Sequence, residues 1–275
     1  MNPVFRRVMF ALAVLVWSGV VLYFYGSGRI VAYLAPDFRP LALAGGLGLA
    51  VLGLFTLLTA PRAAWCGHGE PDAGGEAHDH EATDLHPVMA FLLMVTPVLC
   101  SAVWTKDRFS AAALTRKGLY DTPAEMGVSL LPKPPPLTPE LLKQRHPKTP
   151  EGFHPFSLIE LFFATGDRDM QAVLGGLPVE TEGRIIEERA HNPQGTRKRL
   201  YRLFLTCCIA DSRAIPIVLE YGGPPPAIAD DEWVKVRGTV RFLEEQDSVQ
   251  AVLFVQDTVP AEPPPEESFF RKDHR

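Results

Sequence analysis

Long apolar stretches without charged residues recur three times within the first 105 residues of the chain. They are Val8–Tyr25, Leu41–Ala60 and Val88–Thr105. At a rise of about 1.5 Å per residue, 18 helical residues nearly cross a hydrocarbon core about 30 Å thick. Neighbouring helices tolerate one proline in such a span, so Pro97 does not exclude the third. The pattern predicts two to three transmembrane helices over residues 1–105.

A cleaved signal peptide is the alternative for the first stretch, because Arg6 and Arg7 precede it. Its long apolar core and the two stretches that follow favour a retained helix. In the second stretch, small residues recur at helical spacing, at Ala42, Gly46, Ala50 and Gly53. Such a ridge lets two helix backbones approach closely, and we interpret it as packing within this chain. The distribution of Lys and Arg favours a cytosolic C-terminal domain.

The pattern changes from helical to strand-like beyond Phe153. Ser157 and Glu160 form a capping box that starts a helix, and Asp167–Leu174 predicts another helix, ended by a glycine pair. Apolar and polar residues then alternate, which is typical of strands with one buried face. The five predicted strands are Val179–Glu188, Leu200–Cys208, Ile215–Tyr221, Trp233–Phe242 and Ser248–Val255.

Five short strands predict a small α+β or all-β C-terminal domain, an OB-like barrel over 153–260, with another β-sandwich as the alternative. Gly183 and Gly238 are expected at bends or bulges. Residues 106–152 are rich in proline and predict an extended linker, and the charged, proline-rich residues 261–275 predict a disordered tail.

The connection between the second and third apolar stretches concentrates metal-ligating residue types. Residues 61–87 hold one cysteine, four of the chain's eight histidines and six acidic residues. Imidazole, thiolate and carboxylate groups are the ligands of zinc and similar divalent ions. A solvated acidic loop is the alternative. The candidate ligands are Cys66, His68, His78, His80 and His86.

A pair of adjacent cysteines, Cys207 and Cys208, follows the second predicted strand, with Asp211 nearby. Adjacent strand residues point to opposite faces, so the two thiols share one metal only if the strand ends between them. Cys207 is in phase with buried positions and is expected to be buried. The functional interpretation is a metal or redox site at Cys207, Cys208 and Asp211, and the alternative is a pair of small core residues.

Composition and charge narrow the function classes. The net charge of −5 argues against a chain-wide basic surface and disfavours nucleic-acid binding, although basic residues line the predicted barrel. Those residues are Lys235, Arg237, Arg241, Arg202 and the run 197–199. The sequence contains no G-x-S-x-G, HExxH, P-loop or dinucleotide fingerprint, so we expect no enzymatic activity.

The chain resembles the YcgQ-like family of uncharacterised bacterial membrane proteins. The resemblance rests on GSGRIVAYLAPDFRPL, the loop CGHGE…HDH, LTRKGLY, and LTCCIADSRAIPIVLEY followed by WVKVRGTV. It implies a multi-pass protein of the inner (cytoplasmic) membrane that accompanies a multi-spanning permease, with a suggested link to zinc. Ser212 stands where alanine is usual, and the histidine loop is sparser than in relatives.

The resulting hypothesis is a non-enzymatic, membrane-anchored accessory subunit of a permease that handles zinc or another divalent metal. The alternatives are a membrane-tethered thiol or redox protein using the vicinal cysteines and a membrane-tethered nucleic-acid-binding module.

Overall fold

The computed structural model describes residues 3–60, 86–104, 137–188, 192–245 and 248–270. The chain folds into two compact units, and the boundary between them lies between Asp107 and Arg108. The first unit contains the long apolar helices and the second contains a β-sheet with short helices.

The described part of the N-terminal unit contains three long α-helices: α1 (Pro3–Gly26), α2 (Arg39–Thr59) and α3 (Pro87–Trp104). Two short 3₁₀ turns, Arg29–Ala32 and Pro36–Phe38, connect α1 to α2. Each of the three α-helices is long enough and apolar enough to cross a membrane, which confirms the predicted stretches and indicates membrane association. Both α2 and α3 pack against α1. The indole Nε1 of Trp17 donates to the Met94 carbonyl over 3.0 Å, and the Ser18 hydroxyl donates to the Gly46 carbonyl over 2.7 Å. These bonds satisfy polar groups within the apolar bundle.

The small-residue ridge of α2 faces α1. Gly46 and Gly53 are both buried. A Cβ atom added to Gly53 would lie 2.7 Å from Cγ of Leu15, and one added to Gly46 would lie 3.1 Å from Val21 Cγ1. Glycine therefore sets the closest approach of the two helices, as the interpretation of packing within the chain requires.

The C-terminal unit contains three short α-helices, one 3₁₀ turn and seven strands within its described part. The helices are α4 (Pro139–Arg145), α5 (Leu158–Ala164) and α6 (Arg168–Leu174). The strands are β1 (His154–Pro155), β2 (Pro178–Glu187), β3 (Arg197–Leu205), β4 (Arg213–Glu220), β5 (Trp233–Glu245), β6 (Ser248–Pro260) and β7 (Phe269–Phe270). The predicted capping box holds: Glu160 Oε2 accepts from the Ser157 backbone N–H over 2.9 Å and starts α5.

All seven strands belong to one sheet, in the order β1-β2-β5-β6-β4-β3-β7, and β3 also pairs with β2. The ladders β2–β3, β3–β4, β2–β5 and β5–β6 are antiparallel, whereas β4 and β6 are parallel. The five long strands thus pair in a closed cycle. The short strands β1 and β7 add parallel to β2 and β3.

The core lies between the sheet and the short helices. On β5, Val234, Val236 and Val240 are buried, as the alternating pattern predicted. The apolar residues of α5 pack into the same cluster, together with the inner residues of β2, β4 and β6. The predicted bulge at Gly238 is confirmed by a register shift between Arg237 and Gly238.

Two segments differ from the sequence-based expectation. Residues 137–152, assigned to an extended linker, begin with α4, whose Leu142 is buried in the core cluster. Residues 261–270, assigned to a disordered tail, include β7, and both of its phenylalanines are buried. In both segments, only a few apolar residues stand among many prolines, so they form no helical or strand-like pattern that predicts an element. The rest of the predicted linker and tail, 106–136 and 271–275, lies outside the described residues.

Candidate metal centre

The vicinal cysteines lie in a turn rather than on a strand. β3 ends at Leu205, and a single turn of 3₁₀ helix spans Ile209–Asp211 before β4 begins at Arg213. Cys208 is the N-cap of that turn, in extended conformation. The strand therefore ends before both cysteines, and the rule of opposite faces does not apply to them.

The carboxylate of Asp211 holds this turn together. Its Oδ2 accepts a 2.8 Å hydrogen bond from the Cys207 backbone N–H. Its Oδ1 accepts from the N–H groups of Thr206 and Cys208, at 3.2 and 3.3 Å. Three consecutive backbone donors thus point at one carboxylate, which fixes its position.

Both thiols are brought close to that carboxylate. One ligand atom from each of Cys207, Cys208 and Asp211 lies within 4.8 Å of the other two. All three residues are half-buried. The expectation that Cys207 is buried in the core is therefore wrong, because β3 ends at Leu205 and Cys207 lies in the turn that follows. The two sulfurs and the carboxylate can reach a common ion.

Hydrogen bonding to Asp211 controls the protonation of the site. The thiol of Cys207 bonds to the Asp211 carboxylate and to Cys208, and these bonds, with some burial, raise the pKa of Cys207 to about 12. For Asp211, burial alone would raise the pKa, but the Cys207 thiol and the three backbone donors outweigh it and lower the pKa. Without a metal, the protonated Cys207 thiol donates a hydrogen bond to the ionised Asp211 carboxylate.

The donor set fits a thiophilic divalent ion such as zinc. Thiolate sulfur and carboxylate oxygen are both zinc ligands, and two sulfurs favour zinc over magnesium or calcium. Zinc is generally four-coordinate in proteins, and this cluster supplies three ligands. When bound, such an ion would supply positive charge that removes the thiol protons.

The second predicted group of ligands falls in the N-terminal half of the chain. Cys66, His68, His78 and His80 lie outside the described residues. His86 is described: it is exposed, and its backbone carbonyl accepts from the Ala90 N–H at the start of α3. The metal interpretation of that loop remains a prediction.

The basic residues predicted to line the domain have internal partners. The Arg237 guanidinium donates to Glu180 over 2.6 Å and lies 3.6 Å from Asp257. Arg197 contacts both Glu220 and Glu245. Arg202 packs over the rings of Trp233 and Phe269. Charges compensated in this way do not favour phosphate binding.

Two features of the site were not predicted from the sequence: the backbone hydrogen bonds to the Asp211 carboxylate and the strand that lies beside the end of β3. The spacing of Asp211, three residues after Cys208, is that of a capping box, which was a usable signal. The second feature is β7, which pairs with the last two residues of β3, immediately before the cysteine turn. A two-residue strand has no periodicity by which a sequence could reveal it.

Residues 173–271 match the DUF1980 C-terminal domain family. The matched segment runs from the end of α6 through β7 and contains Cys207, Cys208 and Asp211. It supports the resemblance to an uncharacterised family, since the YcgQ-like family is built on DUF1980. No curated protein matches the chain.

Proposed function

We propose that this protein is a non-enzymatic, membrane-anchored accessory subunit of a permease, and that its C-terminal domain binds a divalent metal, with zinc as the first candidate. The observation that carries the metal assignment is the cluster of two thiols and one carboxylate within 4.8 Å. The long apolar helices support the anchor. The inner membrane and the permease partner are inferred from the resemblance to YcgQ-like proteins.

The half-buried position of the cluster suits exchange of the ion rather than permanent storage. A structural zinc site is closed by four protein ligands, whereas an incomplete or open site can pass its ion on. An accessory subunit that collects or senses a metal beside a transporter needs such exchange. The loop 61–87 would supply a second set of ligands near the bilayer.

The thiol or redox alternative has less support from the same turn. A nucleophilic cysteine needs a lowered pKa, supplied by a cation or a helix N-terminus of sufficient length. The charged group that bonds to the Cys207 thiol is instead the Asp211 carboxylate, and the pKa of this thiol is raised. A bound cation reverses this effect, so the arrangement favours metal binding over thiol transfer.

We also propose that the five long strands form an OB-like barrel. The closed cycle β2-β3-β4-β6-β5 supports this proposal, because one parallel pairing, between β4 and β6, closes an otherwise antiparallel set. An experimental structure of the full chain in detergent tests it. A sheet in which β2 and β3 separate would contradict the barrel.

Calorimetric titration of the full chain in detergent with zinc tests the metal assignment. We expect saturable binding that loses one component in a Cys207→Ala, Cys208→Ala double variant. Cys100→Ala is the matched control, since Cys100 is the other described cysteine and lies in α3. A second component should disappear when His68, His78, His80 and His86 become alanine. Unchanged binding in the double cysteine variant contradicts the proposal for the C-terminal domain.

The permease partner is tested by affinity purification from native membranes. The expected result is one multi-spanning membrane protein in stoichiometric amount with the tagged full chain. Recovery of this protein alone, after mild detergent extraction and chemical crosslinking, would contradict the accessory role. That result would not bear on metal binding, which the zinc titration tests independently.

A further inference from the structure

The cysteine turn places two thiols where a single atom can bridge them. Cys207 and Cys208 are both free, and their sulfurs lie within 4.8 Å of each other. Consecutive Cα atoms are about 3.8 Å apart across a trans peptide bond, whereas the Cα atoms of a disulfide are generally at least about 4.4 Å apart. A direct S–S bond is therefore strained at this pair, and a bridging atom between the two sulfurs avoids that strain.

The ligands of the cluster match an element that forms three bonds. Within the described residues, the cluster offers two sulfurs and one carboxylate. Zinc generally takes four ligands, so a zinc ion here needs one more from outside the cluster. Trivalent arsenic forms three bonds, and its lone pair occupies the fourth position. Because it is also a soft, thiophilic centre, two thiols and one oxygen are sufficient for it.

The thiols are in the chemical state that trivalent arsenic requires. Arsenous acid, As(OH)₃, is uncharged at neutral pH and condenses with protonated thiols, with loss of water. The Cys207 thiol is protonated, since it donates to the Asp211 carboxylate and also bonds to Cys208. Both cysteines are half-buried rather than enclosed in the core, so a small neutral molecule can reach them.

We propose that Cys207 and Cys208 bind trivalent arsenic, taken up as arsenous acid. Two As–O bonds break and two As–S bonds form. Each leaving hydroxyl departs as water with one thiol proton, so arsenic stays trivalent and no electrons are transferred. The product carries one remaining As–OH group bound between the two sulfurs. This inference rests on the proposed function, because it assigns a ligand class to the same cluster.

The Asp211 carboxylate is placed to accept the remaining As–OH group. Its oxygens are held by the backbone N–H groups of Thr206, Cys207 and Cys208, at 3.2, 2.8 and 3.3 Å, so its position does not depend on the thiol proton. The As–OH donor replaces the S–H donor that the carboxylate loses. The negative charge of Asp211 also disfavours anions, so the site selects neutral arsenous acid against arsenate.

Intact-mass spectrometry and calorimetry with arsenous acid, on the full chain in detergent, test the assignment. The background variant carries Cys66→Ala and Cys100→Ala, which leaves the pair as the remaining two of the four cysteines. We expect one arsenic atom per chain. Cys207→Ser and Cys208→Ser should each lower the affinity at least about 100-fold, because two linked ligands gain at least that factor over one. Asp211→Ala should lower the affinity about tenfold, through loss of a hydrogen bond to a charged group, without changing the stoichiometry at saturation.

Thr206→Ala is the matched control, because its exposed side chain lies beside the pair and supplies no ligand. It should leave the affinity unchanged, and arsenate should not bind to any variant. Absence of bound arsenic in the background, or equal affinity in the background and the two serine variants, overturns the inference. Unchanged affinity in Asp211→Ala overturns the role of the carboxylate.

A zinc titration of the same background variant separates this inference from the proposed function. Zinc bound at the pair without arsenic overturns the inference and leaves the proposed metal function standing. Arsenic bound without zinc supports the inference and contradicts the zinc assignment. If both bind, arsenous acid should displace zinc from the pair, because the two compete for the same sulfurs, and simultaneous binding of both would overturn the inference.

Discussion

The backbone N–H of Cys207 donates to Oδ2 of Asp211 over 2.8 Å, while the thiol of the same cysteine also bonds to this carboxylate. One aspartate therefore orders the turn and orients a metal ligand. In Asp211→Asn, the amide retains one acceptor oxygen and turns its NH₂ group toward backbone donors. We expect a loss of about 1–3 kcal/mol in the free energy of unfolding and weaker zinc binding.

Chemical denaturation and zinc titration of the Asp211 variant measure the two effects separately. Glu244→Gln is the control, because Glu244 is an exposed carboxylate of the same domain. Equal stability and equal zinc affinity in the two variants would show that Asp211 neither orders the turn nor binds the ion.

Metal affinity at this centre should rise with pH. A thiol must lose its proton to bind zinc, and the pKa of Cys207 is raised to about 12. Release of that proton alone raises the apparent affinity by up to about tenfold per pH unit at neutral pH. Competition titrations with a chelator at several pH values measure this slope, after correction for the chelator's own protonation. A flat profile would contradict thiolate ligation by Cys207.

The sequence predicted well the elements in which many consecutive residues obey one rule. The long uncharged stretches gave the helices, and strict alternation gave β5. Prediction from the sequence failed where a single contact between distant residues decides the structure. Phe269 and Phe270 bury two rings in a proline-rich segment, and that segment also binds Arg184 and Arg202, which lie far away in the sequence.

For the candidate site, the residue types were predictable and their geometry was not. Cys207, Cys208 and Asp211 stood out as potential ligands. Extrapolating the alternation of β3 placed the two thiols on opposite faces, although the capping-box spacing of Cys208 and Asp211 indicated that a new turn begins there. The 3₁₀ turn that gathers the ligands depends on the carboxylate accepting three backbone hydrogen bonds.

The docking of α4 should depend on pH through His146. Its Nδ1 lies 2.7 Å from the Pro155 carbonyl oxygen and its Nε2 lies 3.4 Å from Glu160 Oε1. Both partners are acceptors, so both ring nitrogens must donate, which requires the charged imidazolium. Burial alone would lower the pKa of His146 and nearby Arg145 opposes its charge, but the hydrogen bond and charge of Glu160 outweigh them and raise it.

The sign of the pH effect follows from that raised pKa. The stabilisation is fully present below the unfolded-state pKa of about 6.5 and is lost as pH rises through the folded-state pKa. His146→Gln should therefore lower the Tm more at about pH 5.5 than at about pH 8. Gln144→Ala, at an exposed and non-titrating position of α4, should lack this difference. A pH-independent loss at His146 would show that its ring acts only by stacking on Phe156.

The bulge at Gly238 should not tolerate a side chain. A Cβ atom there would overlap the Phe254 carbonyl oxygen on β6, and a backbone atom cannot rotate away. Gly238→Ala should cost about 2 kcal/mol or more in the free energy of unfolding. Gly223→Ala is the control, since a Cβ there meets no atom within 4 Å. Equal denaturation midpoints would mean that β5 and β6 are spaced more widely than described.

Packing of α2 on α1 should depend on Gly53 in the same way. A Cβ atom at Gly53 would lie 2.7 Å from Leu15 Cγ, so a leucine there must push the two helices apart. Gly48 is on the same helix, is exposed, and would place its Cβ in open space. Gly53→Leu should lower the thermal stability of the full chain in detergent, while Gly48→Leu adds the same apolar volume with little effect. Equal melting temperatures for the two variants would contradict the close contact, because apolar volume alone cannot distinguish the two positions.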